Sequence, residues 1–254
     1  MRRAALVLVL ALAVPSAART SLPSQEGGNR STLQALARAA AALYCGGRHG
    51  RYVALTFDDG PGPYTARLLR ILARARARAT FFVVGSRVAA WPGLVRAEVR
   101  RGAVGNHTWS HPRLASLGRR AVVQELLRTQ AAVVRAAGGV RPLLFRPPYG
   151  VGTPAETAAV HALGLVDVRW SVDSRDAFPE ATPASLVRTV AAELHPGAIV
   201  LLHDNRPTTL VALPRILRIV RRRGLTPVTV PELVALDPPS HAQLVPVRPS
   251  GRCP

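Results

Sequence analysis

The sequence predicts an α/β protein: a closed or nearly closed β/α barrel, seven-stranded and TIM-like, in a single domain, with an open doubly wound sheet as the second choice. Three observations carry this reading. From Arg51 onward, short apolar runs, polar turns and helical patterns alternate, as consecutive βαβ units on a parallel sheet require. The apolar runs are hydrophobic on both faces, which suits a sheet buried on both sides. The chain of 254 residues, 48% hydrophobic, is long enough to bury one such core.

The strands are expected at 52–57 (YVALTF), 80–85 (TFFVVG), 102–107 (GAVGNH), 143–148 (LLFRPP), 165–172 (LVDVRWSV), 198–203 (AIVLLH) and 225–230 (LTPVTV). Between them lie six stretches in which apolar residues recur at three and four, the spacing of one helix face. These are 65–77, 92–101, 119–137, 155–163, 183–194 and 213–223. The barrel domain is therefore read as 51–236. Residues 19–50 are polar and then Ala-rich, a linker or N-terminal segment with a short helix. The Pro-rich tail at 237–254 is expected to be irregular.

The first eighteen residues join a basic start (MRR) to an eleven-residue apolar run and a small-residue break after Pro15. That is the pattern of a signal peptide cleaved after Ala18, and the run is too short to span a bilayer. The expectation is a secreted, extracellular or wall-associated protein, monomeric and without stable membrane insertion. Export makes a Cys45–Cys253 disulfide reasonable, tying the two ends of the domain.

The net charge is +20, with no Lys among the 34 basic residues. Such a field favours acidic partners, among which export disfavours nucleic acid and leaves an anionic wall polymer. The exclusive use of Arg beside abundant Ala reads partly as codon bias.

Polar residues gather at one end of the expected strands. Asp58 and Asp59, His107 and His111, Arg146 and Tyr149, Asp173 and Asp176, and His203 all stand at C-terminal strand ends, where a β/α barrel carries its active site. His107 and His111 are four apart, so both rings can face one ion; two His nitrogens and a carboxylate form a zinc-type shell with one open position. The paired Asp residues extend this. Successive strand residues point to opposite faces, so both carboxylates reach one site only if the backbone leaves extended geometry there. The following Gly-Pro-Gly-Pro, 60–63, favours that departure.

In this order, TFDDGPGPYT, GNHTWSHP, FRPPYG, WSVDSRD and IVLLHD resemble the five signature motifs of the polysaccharide deacetylase family, carbohydrate esterase family four with its NodB-homology domain. The resemblance spans roughly residues 51–236. It implies a distorted (β/α) barrel and metal-dependent hydrolysis of acetyl groups on N-acetylated sugars in peptidoglycan or chitin-type polymers. It makes Asp59, His107 and His111 the ligands of a divalent metal, zinc first and cobalt or a similar ion second. Asp58 becomes the general base, His203 the acid, and Arg146 the partner of Asp58. Asp173 is assigned to orient His203 or the Arg. The Tyr149 N–H would meet the oxyanion, Leu201 would line the acetyl-methyl pocket, and Pro148 and Trp170 would stand on the substrate side. Asp176 reads equally as a solvated turn residue. Where the family has Trp after the second Asp of its fourth motif, this chain has Ala177 and then Phe178. An acetyl-xylan-type esterase and a non-catalytic wall-binding barrel are the alternatives.

A Cys45–Cys253 bridge would close about 200 residues and contribute about 5 kcal/mol in the chain-entropy model. Titration of unfolded, unreduced secreted protein is expected to find no free thiol; two free thiols would rule the bridge out.

Overall fold

The structure, a computed structural model, describes residues 25–39, 41–240 and 243–245. The expected signal peptide at 1–18 and Cys253 lie outside the described residues. A parallel sheet curls into an incomplete barrel, with strand order β6-β5-β4-β3-β2-β8-β7 and β9 paired to the start of β2. In chain order these strands are β2 (Tyr52–Gly60), β3 (Ala79–Val83), β4 (Gly102–Asn106), β5 (Leu144–Phe145), β6 (Val166–Asp167), β7 (Val172–Asp173), β8 (Ile199–His203) and β9 (Thr226–Val228). The helices are α1 (Gln25–Ala39), α2 (Thr65–Arg74), α3 (Gly85–Ala90), α4 (Pro92–Arg101), α5 (Arg119–Ala136), α6 (Pro154–Ala162), α7 (Pro183–Glu193), α8 (Pro207–Arg222) and α9 (Val230–Leu236). Outside the barrel sheet, β1 (Ala42–Leu43) pairs antiparallel with β10 (Leu244–Val245), which lies in the tail. No described helix is long and apolar enough to cross a membrane.

Strand alternation divides the core in two and decides where the polar groups go. On β2, Val53, Leu55 and Phe57 pack outward with Leu68 and Leu72 of α2, Leu186 and Val190 of α7, and Ile216 of α8. Ala54 belongs to the inner cluster with Phe82, Leu144, Val168 and Ile199. Continuing inward from Ala54 in steps of two gives Thr56 and then Asp58. The same count on β8 runs from Ile199 through Leu201 to His203, and the register sets Asp58 beside His203. Inward positions are apolar deep in the barrel and chemical at its C-terminal mouth.

Several expectations shift in detail. The run 165–172 is two short strands. The Val168 N–H donates to Phe145 O on the β5 side, whereas Ser171 N–H donates to Ile199 O on the β8 side. The span between them leads from the β6 edge of the sheet to its β7 edge, with a bridge from Leu43 to Val168. Strand β5 stops at Phe145 because Pro147 and Pro148 have no N–H to give a ladder. Helix α8 begins at Pro207, six residues ahead of the expected start, with Pro in the first turn where its missing donor is harmless. Helices α3 and α9 were too short for periodicity to mark, although α9 carries a capping box between Thr229 and Glu232.

Phe81 is buried to 1% exposure and stacks on Phe57, 5.9 Å between ring centres. Phe81→Ala is expected to destabilise by about 3–5 kcal/mol, read as a lower urea midpoint at unchanged slope.

Candidate active site

The site starts with a break in β2. Asp59 has φ 70°, and the pairing with β3 shifts register between Asp58 and Gly60. This bulge turns Asp59 to the face that Asp58 already occupies, as the Asp-Asp-Gly-Pro sequence required. Arg87 Nη1 donates to the Asp59 carbonyl (2.8 Å), and Asn205 Nδ2 to Asp59 Oδ2 (3.0 Å), which leaves Oδ1 directed at the histidines. Gly60 has no room for a side chain, since a Cβ there would lie 2.3 Å from Asp204 Oδ2.

Beyond β4, His107 and His111 flank a loop in which Thr108 and His111 both have positive φ. His107 Nδ1–H donates to the Arg146 carbonyl (2.7 Å), so Nε2 carries the free lone pair. His107 Nε2 and His111 Nε2 lie 3.7 and 3.2 Å from Asp59 Oδ1, and one donor atom from each of the three residues falls within 4.8 Å of the others. Tetrahedral donors at about 2.1 Å from an ion stand about 3.4 Å apart, so this N, N, O set fits a zinc-type divalent ion. The charge states agree. Burial would raise Asp59, but His107, His203, His111 and Arg87 outweigh it and hold the carboxyl below its ordinary value. Burial and then His107 keep His111 below its ordinary value, favouring the neutral ring that ligates.

Asp58 is fixed from behind. Arg146 is fully buried, and its Nη1 donates to Asp58 Oδ1 (2.8 Å) and Thr56 Oγ1 (2.7 Å). Its Nε donates to Val168 O and its Nη2 to Arg169 O, while Phe82 lies against one face at 4.2 Å. Asp58 Oδ2 is left facing the cup, 3.9 Å from His107 Nε2.

His203 lies across the cup. Its Nδ1–H donates to Asp176 Oδ1 (2.6 Å) and its backbone N–H to Asp176 Oδ2 (2.7 Å). Thr209 Oγ1 also donates to Asp176 Oδ2. Burial alone would lower the His203 pKa, but the hydrogen bond and charge of Asp176, with Asp58 and Asp59 behind, raise it to about 9.

This corrects the assignment of Asp173. Its Oδ1 accepts the Arg175 N–H (2.8 Å) and caps its own turn, in which Arg175 has φ 61°. Asp173 therefore orients neither His203 nor Arg146. Asp176, 2% exposed, holds the histidine. The sequence also gave no sign of Thr56, Arg87, Asn205 or Thr209, whose contacts come from distant elements.

The remaining residues surround the cup. Tyr149 (φ 63°) sits in a turn closed by Gly150 N–H to Pro147 O, its ring edge-on to His111 at 4.8 Å and beneath Arg113. Pro148 is buried, Leu201 is 6% exposed on β8, and Trp170 is half-buried against the inner core. Phe178 is 52% exposed and lines a pocket of about 260 Å³ with Arg175 and Glu180.

A bulged Asp pair, two histidines and an Asp-held histidine meet at the mouth of a parallel barrel, an arrangement on which comparison with known proteins bears directly. The polysaccharide deacetylase profile matches residues 46–168. A chitooligosaccharide deacetylase of Bradyrhizobium sp. is 38% identical over 199 residues, covering 72% of this chain and 90% of the relative. A peptidoglycan-N-acetylglucosamine deacetylase of Listeria monocytogenes is 39% identical over 183 residues, 71% of this chain but only 38% of the relative's length. A Streptomyces lividans family 4 carbohydrate esterase, solved with acetate, superimposes with a TM-score of 0.66 at 40% identity, covering 72% of this chain and 92% of that one. The chain belongs to the polysaccharide deacetylase family.

If Asp176 keeps His203 protonated, Asp176→Asn is expected to lower kcat roughly 10²-fold and to move the alkaline fall of the rate from about pH 9 to lower pH. Asp173→Asn should stay within a few-fold with the alkaline limb in place. Equal losses in the two variants would refute the reassignment.

Proposed function

We propose that this protein is an exported, metal-dependent N-deacetylase that releases acetate from N-acetylglucosamine units of a peptidoglycan or chitin-type polymer. The observation that carries the reading is the pairing of two opposed proton carriers around one ion site. Asp58 is held by the buried Arg146 guanidinium, and His203, its pKa raised to about 9, is held by the Asp176 carboxylate.

Asp59, His107 and His111 would hold a divalent ion, which when bound would supply Lewis acidity for activating water and offsetting charge at the acetamide oxygen. The protein's own groups perform the rest. Asp58 Oδ2 takes a proton from the attacking water as the new C–O bond forms. The Tyr149 backbone N–H donates to the oxygen that gains charge. His203 Nε2 gives its proton to the sugar nitrogen as the C–N bond breaks, because an unprotonated amine leaves poorly. Acetate and a glucosamine unit result. With a pKa of about 9, His203 keeps that proton through neutral pH. The basic surface and the proposed export favour peptidoglycan over chitin oligosaccharides.

Acetate release should be measured on N-acetylglucosamine oligomers, peptidoglycan and acetylated xylan, each with metal-loaded and chelated protein and with Asp58→Asn. Chelation is expected to abolish release and readdition of zinc or cobalt to restore it. Asp58→Asn is expected to lower kcat by roughly 10²–10⁴-fold. Release confined to xylan would favour the esterase reading; binding of metal and polymer without turnover would replace the enzyme reading by a binding one.

A further inference from the structure

Arg169 takes no part in the chemistry above, yet it is 2% exposed and spends every guanidinium donor group on a partner. Its Nε and Nη2 form a fork on Asp167, 2.7 Å to each carboxylate oxygen. Nη2 also donates to Glu156 Oε1 (2.8 Å), and Nη1 donates to the Gly150 carbonyl (2.6 Å). The Arg169 backbone is used as fully: its N–H donates to Leu43 O (2.7 Å), and its carbonyl accepts Arg146 Nη2 (2.9 Å).

Two of these contacts reach the reaction from opposite sides. Gly150 follows Tyr149, whose φ of 63° is a conformation that a residue with a Cβ holds only where its surroundings enforce it. The turn is pressed from below as well, since a Cβ on Gly150 would lie 2.5 Å from the Trp170 ring. The Gly150 carbonyl is thus pinned by Arg169 and the Gly150 Cα by Trp170, the next residue. On the other side, Arg146 fixes Asp58, and the Arg169 carbonyl is one of the four oxygens that fix Arg146. Asp167 and Glu156 in turn lock the Arg169 fork, a bidentate geometry that Lys cannot reproduce.

We propose that Arg169 is a positioning residue: with Asp167 and Glu156 it clamps the Tyr149–Gly150 turn so that the Tyr149 N–H points at the oxyanion, and its carbonyl keeps Arg146 on Asp58. This rests on the deacetylase reading. Both effects are realised in the transition state more than in the bound substrate, so their loss belongs in kcat rather than KM.

The test compares wild type, Arg169→Lys and Arg169→Met, all metal-loaded, on an N-acetylglucosamine oligomer. It adds the affinity of a tetrahedral methylphosphonamidate analogue of the same oligomer. Arg169→Met is expected to lose 30–100-fold in kcat and a similar factor in analogue affinity, with KM within threefold. Arg169→Lys, which keeps the buried charge, should recover thermal stability but no more than a tenth of the wild-type kcat. If Arg169→Met does not fold, Arg169→Lys alone decides on the same split. A fully active Arg169→Lys, or analogue affinity and KM changing by the same factor, overturns the proposal. Absence of acetate release from the wild type refutes the deacetylase reading instead.

Discussion

Everything at the mouth of this barrel depends on one irregularity, the bulge at Asp58–Asp59–Gly60. A regular strand would send one of the two carboxylates into the helix layer, where Phe57 and Leu55 pack against apolar side chains. The positive φ at Asp59 puts both on the same side. One then has its free oxygen among the imidazoles, and the other faces the same space from the strand's regular inward position. The bulge is held by residues that never touch substrate in the proposed chemistry. Arg87 takes the Asp59 carbonyl, and Asp204 N–H takes that of Asp58.

The second constraint is the burial of Arg146. A fully buried guanidinium is tolerable only when its donors are met, and here four oxygens from two segments, β2 and the span 168–171, meet them. The arrangement couples fold to site, because the carbonyls of Val168 and Arg169 belong to the span that leads from the β6 edge to the β7 edge. The span that joins the two edges of the sheet is therefore also the one that orients the partner of the proposed base. Phe82 stacked on the guanidinium keeps water away and strengthens the charge-assisted bond to Asp58.

The fold was legible because buried parallel strands and amphipathic helices are written in local periods, and all seven apolar runs contribute a strand. What periodicity could not see was the splitting of 165–172, where the choice between one strand and two depends on partners on both sides. At the candidate site, residue type and strand-end position pointed to Asp58, Asp59, His107, His111, Arg146 and His203, which the fold brings to one end of the barrel. They failed at Asp173 and Asp176. Asp173 ends β7 and Asp176 lies three residues further on, and only the turn at Arg175 decides which carboxylate caps the loop and which reaches β8. Arg169 was illegible for a related reason: within an apolar strand it reads as an anomaly until Asp167 and Glu156 are seen around it.

Strain and charge share one pattern. Six non-glycine residues among those described have positive φ, and five of them lie at the C-terminal strand ends or in the loops that follow: Asp59, Thr108, His111, Tyr149 and Arg175. Each such residue costs of order 1–3 kcal/mol, so the loops hold their shape only because the buried network fixes them. Asp59 is held by Arg87 and Asn205, His111 by Thr108, and Arg175 by Asp173. The Tyr149 turn is held through Gly150 by Arg169. The ion pairs follow the same division of labour. Arg146 pairs with the Asp58 carboxylate, and Asp176 pairs with the His203 imidazole, whose pKa it helps raise to about 9. The proposed chemistry needs one group to accept a proton and another to donate one, and the second rank of buried residues, Arg146 and Asp176, gives each a partner of its own.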